Sequence, residues 1–142
     1  MKTLNKYACE ILKKYTIQAC TDITGFGLGG HGTEMAAGSD KTLVIDSQAL
    51  PIFPDVEEYA SMGRIPGGAY RNREFAAKTG YVSTAKLWLE DLVFDPQTSG
   101  GLLAAVPAEE ADEILRGLKG LSLPCAVIGE VIDREKHTLL IR

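Results

Sequence analysis

The stretch Ala19-Cys20-Thr21-Asp22-Ile23-Thr24-Gly25-Phe26-Gly27-Leu28-Gly29-Gly30-His31 constrains the fold of this chain more than any other segment. Thr16 to Thr21 is short and partly β-branched and reads as a strand ending at Asp22. A Gly-rich turn follows, and then a helix to about Ala37, stopped by Gly38. An acidic residue at a strand end therefore faces a glycine turn that opens a helix. Glycines let the backbone approach a ligand closely, and free N–H groups at a helix start favour anions. A carboxylate beside a phosphate is repulsive unless a cation sits between them. Asp22 is thus a candidate Mg2+ ligand, since Mg2+ typically takes one or two carboxylates plus phosphate oxygens. The same pattern also fits plain turn chemistry, with Asp22 and Thr24 satisfying backbone N–H groups.

Gly25, Gly27 and Gly30 also spell G-x-G-x-x-G, with Asp46 following at a strand end, as in a dinucleotide-binding fold. Two features oppose that reading. Asp22-Ile23-Thr24 separates the first glycine from the strand, and the chain beyond Asp46 does not continue into further βαβ units.

The rest of the chain alternates helix and strand patterns. Thr3 to Tyr15 reads as a helix with Leu4, Ala8, Ile11 and Leu12 on one stripe and Thr3 or Asn5 as cap. Thr42 to Asp46 reads as a second strand, and Asp55 to Met62 as a short helix. Arg64 to about Tyr81 shows no convincing period, and so long an irregular stretch is usually functional or mobile. Leu87 to Val93 fits helix or strand, and Leu102 to Val106 a buried strand. Ala108 to Leu118 is an amphipathic helix with Ala111, Ile114, Leu115 and Leu118 inward. Cys125 to Ile132 and Thr138 to Ile141 read as a hairpin around Asp133 to His137. Strands mixed with crossover helices predict an α/β or α+β sandwich, a mixed sheet packed with helices.

Two further segments carry candidate chemistry. In Ile65-Pro66-Gly67-Gly68-Ala69-Tyr70-Arg71-Asn72-Arg73, backbone N–H groups and a guanidinium fork could meet a phosphate, or the segment is a solvated loop. In Phe94-Asp95-Pro96-Gln97-Thr98-Ser99-Gly100-Gly101-Leu102-Leu103, Thr98 to Gly101 could form an anion-binding nest or a tight turn into a core strand. There is no G-x-x-x-x-G-K-S/T, and His31 and His137 have no partner at metal-ligand spacing. His31 is expected to be a satisfied structural histidine, and Trp88 and Phe94 core residues. Cys9, Cys20 and Cys125 are scattered in apolar stretches and are expected to be buried free thiols. The net charge of −4, with both signs interspersed, gives no long-range attraction for nucleic acid or anionic lipid. No apolar run approaches membrane-spanning length and no signal-peptide pattern opens the chain, so a cytoplasmic protein is expected.

Taken together, the three segments resemble the selenophosphate synthetase (selenide, water dikinase) family. Asp22 to Leu28 with Gly30-His31 and Glu34-Met35 is similar to its A-C-T-D-V/I-T-G-F-G-L-x-G-H-x-x-E-M signature. Pro66-Gly67-Gly68 with Arg71-Asn72 resembles its P-G-G-x-x-R-N loop, and Phe94 to Leu103 its F-D-P-Q-T-S-G-G-L-L element. Val127 to Val131 resembles its I-G-E-V strand, and Thr3-Leu4-Asn5 the T-L-N of its linking helix. The order and spacing agree over nearly the whole chain.

The resemblance implies a wider superfamily that includes aminoimidazole ribonucleotide synthetase and a hydrogenase maturation factor. In it an N-terminal ATP-binding domain, which dimerises, is paired with a C-terminal α/β sandwich. It further implies the reaction of ATP, selenide and water to selenophosphate, AMP and phosphate, with Mg2+ and ATP as cofactors. By that likeness Asp22 helps hold the Mg2+, while Thr24, Gly25, Arg71 and Asn72 lie near the phosphates. The family's reactive Cys or selenocysteine, its lysine and its other metal-binding aspartates belong to the N-terminal domain, and none of Cys9, Cys20 or Cys125 takes the reactive position. Residues 1–142 are therefore expected to form one domain, the C-terminal one, lacking the N-terminal partner and inactive alone. Dimerisation stays open, as does a non-catalytic nucleotide-binding role beside a separate N-terminal half. Gly29 and Gly32 stand where the family commonly has larger apolar residues, which predicts a looser helix.

Overall fold

The computed structural model describes residues 3–121 and 124–142. In chain order the elements are α1 (Lys6–Leu12), β1 (Ala19–Asp22), α2 (Gly27–Gly38), β2 (Lys41–Ile45), a 3-10 turn (Ser47–Ala49), α3 (Val56–Ser61), α4 (Gly67–Thr79), β3 (Tyr81–Ser83), α5 (Leu87–Val93), β4 (Leu102–Ala105), α6 (Ala108–Lys119), β5 (Gly129–Asp133) and β6 (Leu139–Ile141). The fold is α+β with two sheets. A four-stranded mixed sheet runs β3-β6-β2-β5, and an antiparallel ribbon pairs β1 with β4. Strand β2 is parallel to β6 and antiparallel to β5, and β3 is parallel to β6.

Alternation along the central strands sets the core. Leu43 and Ile45 of β2 pair in register with Leu139 and Ile141 of β6, and all four are buried. They form one cluster with Ala36, Ala69, Ala76, Val93 and Phe94 from the helices and Ile23 and Leu103 from the ribbon. Phe94 is fully buried, and burying such a ring contributes about 2–3 kcal/mol.

Helix α2 crosses the sheet and α4 at close range because its inner face is nearly bare. Gly29, Gly30, Gly32, Thr33 and Ala36 are buried. A Cβ at Gly29 would meet the Phe94 ring, and one at Gly32 would lie 2.7 Å from Leu43 Cδ2. These glycines admit the ring and the strand that larger residues would displace.

Four expectations change. Most of the stretch from Arg64 to Tyr81 is not irregular but helix α4, and Tyr81 opens β3. The inner stripe of α4 is Ala69, Asn72 and Ala76, at helical spacing but too small and polar to register as an apolar period. The two C-terminal strands do not form a hairpin, because β2 lies between them. After β5 the chain passes over the start of β2, where Glu135 N–H donates to Thr42 Oγ1 at 2.9 Å, and β6 enters on the other side. Strand β4 is only half-buried, Leu103 excepted, since its sheet partner is β1 alone. Helix α1 is shorter than its sequence stripe, and Leu4 is exposed.

The dinucleotide-binding alternative falls with the topology. β1 and β2 belong to different sheets, so β1-α2-β2 is not a parallel crossover unit. Asp46 instead caps the 3-10 turn, accepting from Gln48 N–H at 2.9 Å.

Candidate functional site

The three segments singled out in the sequence meet at the end of β1. Ile23 N–H donates to Gly101 O at 2.9 Å, and Thr24 O accepts from both Gly27 N–H at 2.9 Å and Gln97 N–H at 3.0 Å. Gly27 has φ +68°, and a Cβ there would lie 2.8 Å from Asp95 O. Only glycine gives both that dihedral and that approach. The start of α4 docks on the same loop, since a Cβ at Gly68 would lie 2.5 Å from Pro96 Cγ.

Asn72 ties the three together. Its amide nitrogen donates to Gly25 O at 2.8 Å and Phe94 O at 3.0 Å, and the side chain is buried. Asn5, read from sequence only as a possible helix cap, makes no capping bond and instead donates to Gly100 O at 3.0 Å. Its role depends on a partner distant in sequence, so a local pattern could not signal it.

Asp22, Thr24, Gly25 and Arg71 are exposed. Among the described residues the Asp22 carboxylate makes no hydrogen bond, so it does not cap the turn, and Arg71 makes no ion pair. The Thr24 hydroxyl lies 2.9 Å from His31 Nε2, and Glu34 Oε2 lies 3.3 Å from His31 Nδ1. His31 is thus a satisfied histidine, as expected, but the group it satisfies belongs to the turn. The described residues hold no group of three His, Cys, Asp or Glu side chains able to bind a metal. Asp22 and Thr24 offer hard oxygens of the kind Mg2+ takes, but too few to hold the ion by themselves.

Burial pushes the Asp95 carboxyl up, partly offset by the Gln97 amide that donates to it at 2.8 Å. Cys20 is exposed and Cys9 and Cys125 half-buried, against the expectation of buried thiols. Desolvation, then neighbouring Cys9 and Asp22, push the Cys20 thiol up, away from thiolate reactivity. Trp88 is only half-buried, whereas Phe94 is core. A concavity of about 550 Å³, lined by Val44, Asp46, Val127, Gly129, Glu130 and Arg142, lies apart from these segments. The candidate site is an open surface.

In this α+β domain a glycine turn, an Asn-clamped helix start and a second glycine loop converge, and residues 1–142 match the family described as AIR synthase related protein, C-terminal domain. The chain belongs to that family. Its relatives include "Selenide, water dikinase" of Caldanaerobacter subterraneus subsp. tengcongensis, 43% identical over 143 residues, covering 100% of this chain and 42% of the relative. Another, of Clostridium botulinum, is 44% identical and covers 100% and 41%. "Selenide, water dikinase 2" of Peptoclostridium acidaminophilum is 42% identical and covers 99% and 41%. The chain thus spans about two fifths of the length of these relatives. Among solved structures, E. coli HypE, a hydrogenase maturation protein, shares the fold with a TM-score of 0.55 at 23% identity, over 93% of this chain and 34% of HypE.

Proposed function

We propose that this chain is the C-terminal domain of a selenide, water dikinase and that its glycine turn forms part of the site for the phosphates of Mg-ATP. The observation that carries this reading is the 43% identity to a protein of that name along the whole chain. The convergence of three Gly-rich segments on one unpaired carboxylate supports it. The reaction converts ATP, selenide and water to selenophosphate, AMP and phosphate.

In this reading Asp22 offers the oxygen donor for the cation, which when bound neutralises phosphate charge. Gly25 lets the turn come close to the phosphates, and the Arg71 guanidinium, without an ion pair among the described residues, faces them as a charged fork. Asn72 is a positioning residue, since both of its bonds go to main-chain carbonyls. An open surface leaves the far side of the ligand to a further domain, through which the whole protein also dimerises in the cytoplasm. The chain alone is then inactive. Phosphorus NMR of the pure chain with ATP, Mg2+ and selenide yields no selenophosphate, and its formation by the chain alone contradicts the reading.

A second reading, a non-catalytic domain that binds nucleotide beside a separately made half, is favoured only by the two-fifths coverage of its relatives. The intact mass of the native protein separates the two. More than twice 15.3 kDa supports the first reading and 15.3 kDa the second.

A further inference from the structure

Strand β5 is an edge of the mixed sheet, and alternate residues along it have backbone groups without a partner. The order β3-β6-β2-β5 gives β5 one neighbour, β2. Leu43 N–H donates to Thr138 O on the β6 side of β2, and Asp46 N–H donates to Ile128 O on the β5 side. Even-numbered residues of β2 therefore bond toward β5, where Val44 faces Glu130 and Thr42 faces Ile132. Successive residues of a strand point their N–H and C=O groups to opposite sides. Val131 and Asp133 thus turn theirs outward, and among the described residues nothing bonds to them. An unpaired row of this kind is a template for a further strand, and native edges are commonly blunted by proline, lysine or an inward charge. The middle of this edge is instead Val131, 45% exposed. Its neighbour Asp133 is turned back to its own sheet by Lys41 Nζ at 2.8 Å. Beside Val131, on the face it shares with Leu43, lies a concavity of about 270 Å³ whose apolar side is Ala19, Met35, Ala36, Leu43, Ala105 and Val131.

We propose that β5 pairs antiparallel with β5 of a second copy of this chain, Val131 against Val131, in a sheet continuous across a two-fold axis. Charge and the concavity together select that register. Like charges directly opposite one another destabilise a ladder, which excludes registers centred on Glu130 or on Asp133. A register centred on Ile132 sets Asp133 against Val131 and brings a carboxylate to the apolar concavity. The register centred on Val131 brings a valine there instead. It also sets Glu130 against Ile132 and Asp133 against the bare Gly129, so no two charges are directly opposed. Each copy supplies the backbone groups that the other lacks, and both gain the same contacts, as a two-fold axis requires. The contact is one strand wide, so the dimer is weak and concentration-dependent. Nothing in this pairing depends on the phosphate site.

Sedimentation equilibrium of the chain from about 10 μM to about 1 mM covers weak association. The average mass is expected to rise with concentration from 15.3 kDa toward twice that value. Val131→Lys puts a charge on the edge and is expected to hold the mass at 15.3 kDa throughout. Val82→Lys changes a residue of like exposure on the opposite edge strand, β3, and is expected to dimerise as the wild type does. Hydrogen exchange of the wild type, followed by NMR, reads the contact residue by residue. The Val131 and Asp133 amides are expected to exchange about tenfold or more slowly at the highest concentration than at the lowest. Those of Glu130 and Ile132, which face β2, are expected to keep their rates. A chain that stays at 15.3 kDa at every concentration overturns the proposal. So does a dimer that survives Val131→Lys, one that Val82→Lys abolishes, or one whose Val131 and Asp133 amides exchange as fast as in the monomer.

Discussion

Gly29 and Gly38 belong to the same helix, yet substitution by alanine should act in opposite directions. Alanine is intrinsically the better helix former by about 1 kcal/mol. At Gly38 a Cβ meets nothing within 4 Å, so Gly38→Ala is expected to stabilise by up to about 1 kcal/mol. At Gly29 the Cβ runs into the fully buried Phe94 ring, which has nowhere to go. Gly29→Ala is expected to destabilise by about 1–3 kcal/mol, because overpacking outweighs propensity. Urea unfolding of the two variants gives the signs directly. Asn72→Ala should cost about 2–3 kcal/mol in the same assay, since it leaves the Gly25 and Phe94 carbonyls without their donor.

Among the elements, what could be seen in the sequence was what depends on local pattern. The helix α6 announces itself by period and by Pro107 and Gly120 at its ends. The turn after Asp22 announces itself by its glycines. Helix α4 does not, because the face it buries against α2 needs small residues rather than apolar ones. The separation of β5 from β6 by β2 was hidden for a different reason: adjacency in sequence favours a hairpin, and only the pairing of Leu43 with Leu139 decides otherwise. The site was legible as three separate motifs, while the bonds that join them, from Asn72, Gln97 and Asn5, depend on tertiary structure.

Elements α4, α5 and β3 are also joined by a charged network. Arg73 Nη1 lies 3.0 Å from Asp91 Oδ1, and the Tyr81 hydroxyl donates to Glu90 Oε1 at 2.9 Å. Burial holds the Asp91 carboxyl above its usual range even though Arg73 pulls it down. The Tyr81 phenol is pushed up to about 12, first by burial and then by its bond to Glu90 and that residue's charge. A folded value above the unfolded phenol's value of about 10 means that this contribution to stability is complete below pH of about 10 and is lost as pH rises through about 12. Spectrophotometric titration should show a late tyrosine step that disappears in Tyr81→Phe, and Glu90→Gln should bring it earlier.

At the scale of the whole molecule, the arrangement is a mixed sheet and helix layer that carries an open, polar ledge at one end. The Asn72 clamp, the Gly27 approach and the Gly68–Pro96 contact set the ledge against a core that includes Phe94 and Ile23. Exposed Asp22 and Arg71 are carried on that ledge without partners among the described residues. In the proposed function a second surface closes over the ligand on this ledge, and the chain spans about two fifths of the length of its relatives. The most direct measurement is selenophosphate formation by the native protein, as its source cell makes it, with ATP, Mg2+ and selenide, followed by phosphorus NMR for the wild type and for Asp22→Ala. The wild type is expected to form selenophosphate and AMP, and Asp22→Ala to be slower by about a hundredfold or more, the cost of removing one electrostatic anchor from a charged transition state. An Asp22→Ala protein that turns over at the wild-type rate, or a native protein that forms no selenophosphate, would contradict the account.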